Sequence, residues 1–137
     1  MFDRMVVAVD GSGCSDRAVL VAAELAGVFG SEVVVVHVAP EIVGWGIAVE
    51  AESPDEASDV ADRAVRELKD RGLSARPEVR RALRGLVASE IVHAAEAEDA
   101  GLIVMGSRGH GDLSGLLLGS VAHKVLHLAH VPVTVVK

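Results

Sequence analysis

A glycine-rich segment near the C-terminus has the residue types and spacing of a phosphate-binding turn. Gly106, Gly109, Gly119 and Ser120 follow directly on the apolar run 102–105. Glycine lets the backbone come close to a ligand and reach positive φ without steric cost. A helix that begins at the end of this segment adds unpaired N–H groups and the positive end of its dipole. The segment therefore predicts an anion site, with phosphate as the expected ligand.

A second candidate group is the carboxylate of Asp10, which ends the first apolar run of the chain. A carboxylate accepts hydrogen bonds from hydroxyl groups but repels phosphate, so a neutral ribose is its better partner. A plain turn or helix-capping aspartate is the alternative. Ser120 is predicted to donate its hydroxyl to a phosphate oxygen while also capping its helix. Arg108 and His110 are cationic candidates for the phosphates, with solvated loop side chains as the alternative.

The pattern of apolar runs and helix signals predicts the scaffold for these groups. The predicted strands are 4–9, 32–38, 75–83, 102–105 and 131–136, and the helices between them start near 12–15, 53, 86 and 120. Strands that alternate with helices predict an α/β fold with right-handed crossovers. We expect a single doubly wound five-stranded parallel sheet with helices on both faces, Rossmann-like, in the strand order 3-2-1-4-5.

The predicted sheet brings the two candidate groups together. Ligands of such sheets bind beyond the carboxyl ends of the strands, where the strand order reverses. The first strand ends at Asp10 and the fourth at Gly106, so both turns open on the same edge. The segment 40–53, which contains Trp45, is predicted to be a loop without ligand contacts, and His37 is predicted to be a packed or hydrogen-bonded histidine.

Composition limits the class of protein. The 137 residues suit one domain spanning 1–137. A net charge of −7 and only three aromatic residues disfavour a nucleic acid polymer as partner. No apolar run approaches the roughly 18–20 residues that span a bilayer, and the N-terminus does not resemble a signal peptide. We therefore expect a soluble, cytoplasmic protein without a membrane partner. Cys14, the only cysteine, excludes an internal disulfide.

Other familiar sites are absent from the sequence or incomplete in it. The chain has no G-x-x-x-x-G-K-[ST] loop and no G-x-S-x-G elbow. Gly11-Ser12-Gly13 begins like a dinucleotide fingerprint, but Asp16 stands at the position of the third glycine. His123 and His127 have a metal-compatible spacing on one predicted helix. Because no glutamate or cysteine completes that site nearby, we predict solvent-facing histidines and no metal site.

The spacing Gly106-x2-Gly109-x9-Gly119-Ser120 resembles the nucleotide-binding signature of the ATP-binding subgroup of the universal stress protein family. Supporting likenesses are 6–12 in the first strand and turn, 37–38 at the end of the second strand, and the last strand. The resemblance covers essentially the whole chain. It implies ATP as the ligand, with Mg2+ as the ion that a triphosphate usually brings, and a homodimer formed through the last strand, 133–136.

The resemblance also implies a role for each matching residue. Asp10 would contact the adenosine part of the ligand, while Gly119, Ser120 and the N–H of Val121 would hold the outer phosphates. The other positions are Ala8, Val9 and Val38 around the base, Gly106 and Gly109 around the ribose and first phosphates, and Met105 and Arg108 beside the ligand.

The expected function is that of an ATP-binding universal stress protein, a nucleotide-dependent regulator in the stress response. Rapid hydrolysis is not expected, since a phosphoryl-transfer catalyst needs metal ligands, a residue that places the water and cationic stabilisation, and only Arg108 and His110 are candidates here. At most, slow ATP hydrolysis or self-phosphorylation is predicted. Two alternatives stay open: a nucleotide-independent dimeric interaction module, and a sensor of another adenine nucleotide such as cyclic AMP.

Overall fold

The computed structural model describes residues 1–110 and 117–137, so the middle of the glycine-rich segment lies outside the described residues. The strands are β1 (Arg4–Ala8), β2 (Glu32–Gly44), β3 (Ile47–Glu50), β4 (Ala75–Leu83), β5 (Leu102–Gly106) and β6 (Val133–Val136). The helices are α1 (Gly13–Phe29), α2 (Pro54–Asp70), α3 (Val87–Ala97) and α4 (Ser120–Leu128), and a single 3-10 turn (Arg84–Leu86) precedes α3.

The α/β fold predicted from the sequence is confirmed. Five parallel strands lie in the order β4-β2-β1-β5-β6, which is the predicted order once β3 is left aside. Side chains of successive residues point to opposite faces of the sheet. Met5 and Val7 therefore pack under α1 and α2, while Val6 and Val34 pack under α3 and α4. The two cores leave the carboxyl ends of β1 and β5 side by side.

The prediction of a loop at 40–53 is wrong, because this segment adds a sixth, antiparallel strand to the five parallel ones. β2 continues to Gly44, and β3 returns beside it as an antiparallel strand with Val43 opposite Ala48. Trp45 and Gly46 form the turn with φ of 54° and 75°, and two successive positive φ values are what a two-residue hairpin requires. All four residues of β3 are exposed, so no alternation of apolar and polar residues marks this strand in the sequence.

Side-chain caps at the starts of α1 and α2 position these two helices near the sheet edge. Ser12 caps α1 by accepting a hydrogen bond from the N–H of Ser15. Ser53 and Glu56 form the predicted capping box at the start of α2. Gly30 ends α1 in the left-handed conformation, with φ of 68°. These caps set where α1 and α2 begin relative to the strand ends.

An ion-pair cluster ties together the opposite, amino-terminal edge of the sheet. Arg76 donates to Glu32 across 2.9 Å and also to Glu98, while Arg4 lies 3.5 Å from both carboxylates. The hydrogen bond from Arg76 holds the pKa of Glu32 below its ordinary value. This edge is thereby occupied by paired charges, and the open cavity lies at the other edge. Within the described residues, no helix is both long and apolar enough to cross a membrane.

Candidate functional site

A cleft of about 510 Å³ opens at the carboxyl ends of β1, β2 and β5, which is a usual volume for a small-molecule site. The structure brings every predicted site residue into it. The lining includes Ala8, Val9, Asp10, Val38, Met105, Gly106, Arg108, Gly109, Gly119, Ser120 and Val121. Residues far apart in the chain meet there because β1 and β5 are neighbouring parallel strands.

Asp10 lies where the turns after β1 and β5 meet. Its Oδ1 accepts a hydrogen bond from the N–H of Ser12 at 2.9 Å, and its Oδ2 accepts one from the N–H of His110 at 3.2 Å. A Cβ atom on Gly109 would overlap Oδ2 of the same carboxylate. The absence of a side chain at 109 therefore allows the chain after β5 to lie directly against Asp10.

Glycine is required at position 106 for a different structural reason. A Cβ atom built there would lie 2.8 Å from Cβ of Cys14 and 2.9 Å from its carbonyl carbon. Nonbonded carbon atoms essentially never come that close, so only glycine lets the end of β5 pack on the first turn of α1. Neither Gly106 nor Gly109 has positive φ, so of the two reasons expected for glycine, close approach and backbone conformation, only close approach applies to them. Here the close approach is to Cys14 and to Asp10.

The amino end of α4 faces the cleft. Gly119 is the N-cap residue, with φ of −71°, and its N–H donates to the carbonyl of Ser107 at 2.6 Å. The prediction that Ser120 caps this helix is therefore wrong, because Ser120 is already its first helical residue. The first intrahelical bond runs from the N–H of His123 to the carbonyl of Gly119. The N–H groups of Ser120 and Val121 come before that bond, at the positive end of the helix dipole.

The inner wall of the cleft is apolar and has a polar backbone edge. Ala8, Val36 and Met105 are buried there. The N–H of Val9 donates to the carbonyl of Val36 at 2.9 Å, so the backbone groups of Val36 point toward β1. Along a strand the N–H and C=O groups of successive residues point alternately to the two neighbouring strands. Val38, two residues after Val36, therefore points its N–H and C=O to the same side as Val36 does. Since β1 ends at Ala8, these two groups point past the strand, toward the cleft.

The same wall contains a histidine–glutamate pair that sequence reasoning missed. His37 is buried, as predicted, with Nδ1 2.8 Å from the carbonyl oxygen of Val9. Its Nε2 lies 2.7 Å from Oε2 of Glu52. Glu52 and Pro40 both line the cleft, although no ligand-contacting element was predicted within 40–53. The hairpin brings Glu52 back to β2, and its pairing leaves no pattern in the sequence.

Cations and histidines complete the lining. Arg108 lies in the cleft, and Arg84, which sequence reasoning did not assign, lines it from the turn before α3. His123 and His127 are exposed on α4, as predicted. In the described parts of the chain, no cluster of three or more His, Cys, Asp or Glu residues could hold a metal ion.

Comparisons with known proteins agree with this geometry. The sequence profile of the universal stress protein family matches residues 1–137. Universal stress protein YxiE of Bacillus subtilis is 32% identical over 151 residues, and the match covers all of both chains. A universal stress protein of Thermus aquaticus is 36% identical over 143 residues, again over all of both. A universal stress protein of Archaeoglobus fulgidus, solved in complex with dAMP, is 32% identical with a TM-score of 0.77, covering 99% of this chain and 98% of that one.

Proposed function

This chain belongs to the universal stress protein family, and we propose that it is an ATP-binding member, a nucleotide-dependent regulatory protein of the stress response. The observation that carries the proposal is a single cleft that joins an apolar wall, a carboxylate and the amino end of a helix. The dAMP complex of the Archaeoglobus fulgidus relative supports an adenine nucleotide as the class of ligand.

Adenine fits the backbone edge of Val38. The backbone N–H of Val38 would donate to ring nitrogen N1 of adenine, and the C=O of Val38 would accept from the exocyclic amine. Guanine reverses this pattern, because it presents a ring N–H and a carbonyl oxygen at the same positions. Ala8 and Met105 supply apolar surface for the faces of the ring. We therefore expect strong discrimination against guanine, since polar groups built to pair one base are left unpaired by the other.

Asp10 sets the direction of the ligand in the cleft. Its carboxylate accepts hydrogen bonds from ribose hydroxyls and repels phosphate, so the ribose lies beside β1 and the phosphates extend toward α4. The N–H groups of Ser120 and Val121, with the hydroxyl of Ser120, would hold the outer phosphates. Arg108 and Arg84 supply the positive charge.

Mg2+ is expected to enter with the triphosphate. The ion prefers oxygen ligands and keeps several waters, so phosphate oxygens provide most of its coordination. Asp10 is the carboxylate nearest the phosphate loop among the described residues, and its oxygens already accept from Ser12 and His110. We therefore assign no protein side chain to the ion, and at most slow hydrolysis or self-phosphorylation to the site.

Calorimetry with ATP, ADP, AMP, cyclic AMP and GTP tests the proposal. We expect ATP to bind at least about tenfold more tightly than AMP, because the α4 contacts are made only by the outer phosphates. We expect no measurable binding of GTP. Tightest binding of cyclic AMP would favour the sensor for that nucleotide. Binding of none of the five would leave the nucleotide-independent dimeric module as the better function.

Gly119→Ala tests the phosphate end of the cleft alone. The φ of −71° at this residue is open to alanine, so we expect the unfolding temperature to stay within a few degrees. The added methyl group is expected to crowd the outer phosphates, because Gly119 is the N-cap of the helix proposed to hold them. We expect ATP affinity to fall by about 10- to 100-fold and AMP affinity to change by less than about threefold. Both are measured by calorimetry.

Gly27→Ala is the matched control, because nothing lies within 4 Å of a Cβ atom at that position in α1. It should leave both affinities unchanged. If Gly119→Ala binds ATP as tightly as the parent protein does, the amino end of α4 does not hold the phosphates.

The edge of the sheet supports the proposed homodimer. β6 pairs with β5 on one side and ends the strand order, so its other side offers backbone groups to a further strand. An antiparallel pair of two copies of 133–136 about a two-fold axis would satisfy them. The single-domain organisation over 1–137 and the cytoplasmic location are parts of the same proposal.

A further inference from the structure

We propose that His37 is a positioning residue of the cleft, which fixes the peptide between Val9 and Asp10 so that the Asp10 carboxylate meets the ribose. Glu52 holds the ring of His37 in place. The inference rests on the proposed function, because it assigns a role toward a bound nucleoside. It concerns two residues that lie behind Asp10 rather than in the assigned nucleotide contacts.

The contact with Val9 fixes which ring nitrogen of His37 bears hydrogen. A peptide carbonyl only accepts hydrogen bonds, so Nδ1, 2.8 Å from the Val9 oxygen, must donate. The neutral ring then has a bare Nε2, which faces the carboxylate oxygen of Glu52 at 2.7 Å. Two acceptors at that distance repel each other, so one proton lies between them. The result is a continuous line of hydrogen bonds from Val9 through His37 to Glu52.

Val9 needs this bond because it lies just past the end of β1. Its N–H still donates to β2, through Val36, but β1 ends at Ala8. The imidazole of His37 takes the place of a ladder donor for the Val9 carbonyl. A buried carbonyl without a partner is costly, so the bond fixes the orientation of this peptide strongly.

The same peptide unit carries the N–H of Asp10. That N–H faces the hydroxyl of Ser15 across 3.4 Å, which is a long hydrogen bond. The carbonyl side is therefore the firmer anchor, with its 2.8 Å contact to a buried ring. Rotation of the peptide would turn the Asp10 side chain away from its present place beside Ser12 and His110.

Glu52 extends the line of hydrogen bonds to the hairpin. Its carbonyl accepts from Arg81 of β4 at 3.4 Å, and the residue directly precedes the α2 cap at Ser53. A glutamate placed by two elements can hold the imidazole plane in one orientation. Its carboxylate is about three-quarters buried, with 26% of the side chain exposed.

Two substitutions separate the two ring contacts. The side-chain amide of asparagine reaches the position of Nδ1, whereas that of glutamine reaches the position of Nε2. His37→Asn therefore keeps the hydrogen bond to the Val9 carbonyl and loses the one to Glu52. His37→Gln keeps the hydrogen bond to Glu52 and loses the one to Val9. The affinity ratio between ATP and 2′,3′-dideoxy-ATP, measured by calorimetry, reports how well Asp10 meets the ribose hydroxyls. A residue that only stabilises the fold lowers both affinities equally and leaves this ratio unchanged.

We expect His37→Gln to lower the ratio about tenfold, which is the value of one hydrogen bond, and His37→Asn to lower it less. Glu52→Gln, whose amide can donate to a neutral ring, should lower the affinity ratio less than Glu52→Ala does. His93→Gln, an exposed histidine of α3, is the control and should change neither affinity. Equal ratios in parent protein and His37→Gln would overturn the inference and leave the proposed function standing. Failure of the parent protein to bind ATP would overturn both.

Nitrogen NMR of the parent protein gives a test that does not depend on any variant folding. We expect the His37 ring to be protonated at Nδ1. A ring with Nδ1 bare and hydrogen on Nε2 alone cannot donate to Val9, and the inference would then be wrong.

Discussion

Asp10→Asn is expected to weaken ATP binding by about 10- to 100-fold with little change in the unfolding temperature. The amide keeps one oxygen, which can still accept from the N–H of Ser12. Its NH2 group replaces the second oxygen and faces the N–H of His110, so two donors oppose each other. A hydrogen bond to a charged group contributes about 1.5–3 kcal/mol, which corresponds to the expected loss. Calorimetry with ATP measures it.

The ribose contact can be tested within the same experiment. Dideoxy-ATP lacks the hydroxyls that Asp10 would hold, so its affinity should fall much less than that of ATP. Asp16→Asn is the matched control. Asp16 is close to Asp10 in the chain and lies in the first turn of α1, but its side chain is 59% exposed and pairs with Arg63 outside the cleft. If Asp10→Asn weakens both nucleotides equally, the carboxylate acts on the loop after β5 rather than on the ribose.

The central strands of the fold could be predicted from the sequence because each is a continuous apolar run. Runs such as 33–36 and 102–105 are buried on both faces, and burial of that kind leaves a plain signal in composition. The residues expected in the cleft came largely from the resemblance to the universal stress protein family, and two strand ends and one helix start bring them together.

The hairpin could not be predicted because its second strand, β3, is exposed rather than buried. Ile47 and Val49 are exposed, so the apolar side chains of β3 mark no core and show no preferred face. Its pairing depends on positive φ at Trp45, and tryptophan gives no hint of that conformation. Glu52 reaches His37 only through this turn. A cleft residue that depends on a non-glycine turn conformation leaves no trace in the spacing of motifs.

The glycines show a further limit of sequence reasoning. The glycines were expected to allow close approach to a ligand and positive φ, and neither Gly106 nor Gly109 has positive φ. Gly106 packs on Cys14, and Gly109 lies over Asp10. Both contacts join segments that are remote in the chain, so nothing local to the motif reveals them. This part of the motif shapes the cleft itself, because it lets segments that are remote in the chain pack closely.

Gly106→Ala is therefore expected to affect both stability and function. The new Cβ atom would lie 2.8 Å from Cβ of Cys14 and 2.9 Å from its carbonyl carbon, and backbone cannot move aside as a flexible side chain can. Overpacking of this kind costs about 1–3 kcal/mol. Because α1 begins three residues after Asp10 and the N–H of its N-cap Ser12 donates to the Asp10 carboxylate, moving the first turn also displaces that carboxylate. We expect ATP binding to be lost, as measured by calorimetry, and the free energy of unfolding in urea to fall.

Gly85→Ala is the control, since nothing lies within 4 Å of a Cβ atom at that position. Shortening Cys14 to alanine would not rescue Gly106→Ala, because alanine keeps the Cβ atom and the backbone that form the contact. Cys14→Gly in the same chain removes one of the two overlaps and should restore part of the stability. A Gly106→Ala protein that is as stable as its parent and binds ATP normally would show that β5 and α1 can separate without cost. In that case the glycine at 106 would have no role in building the cleft.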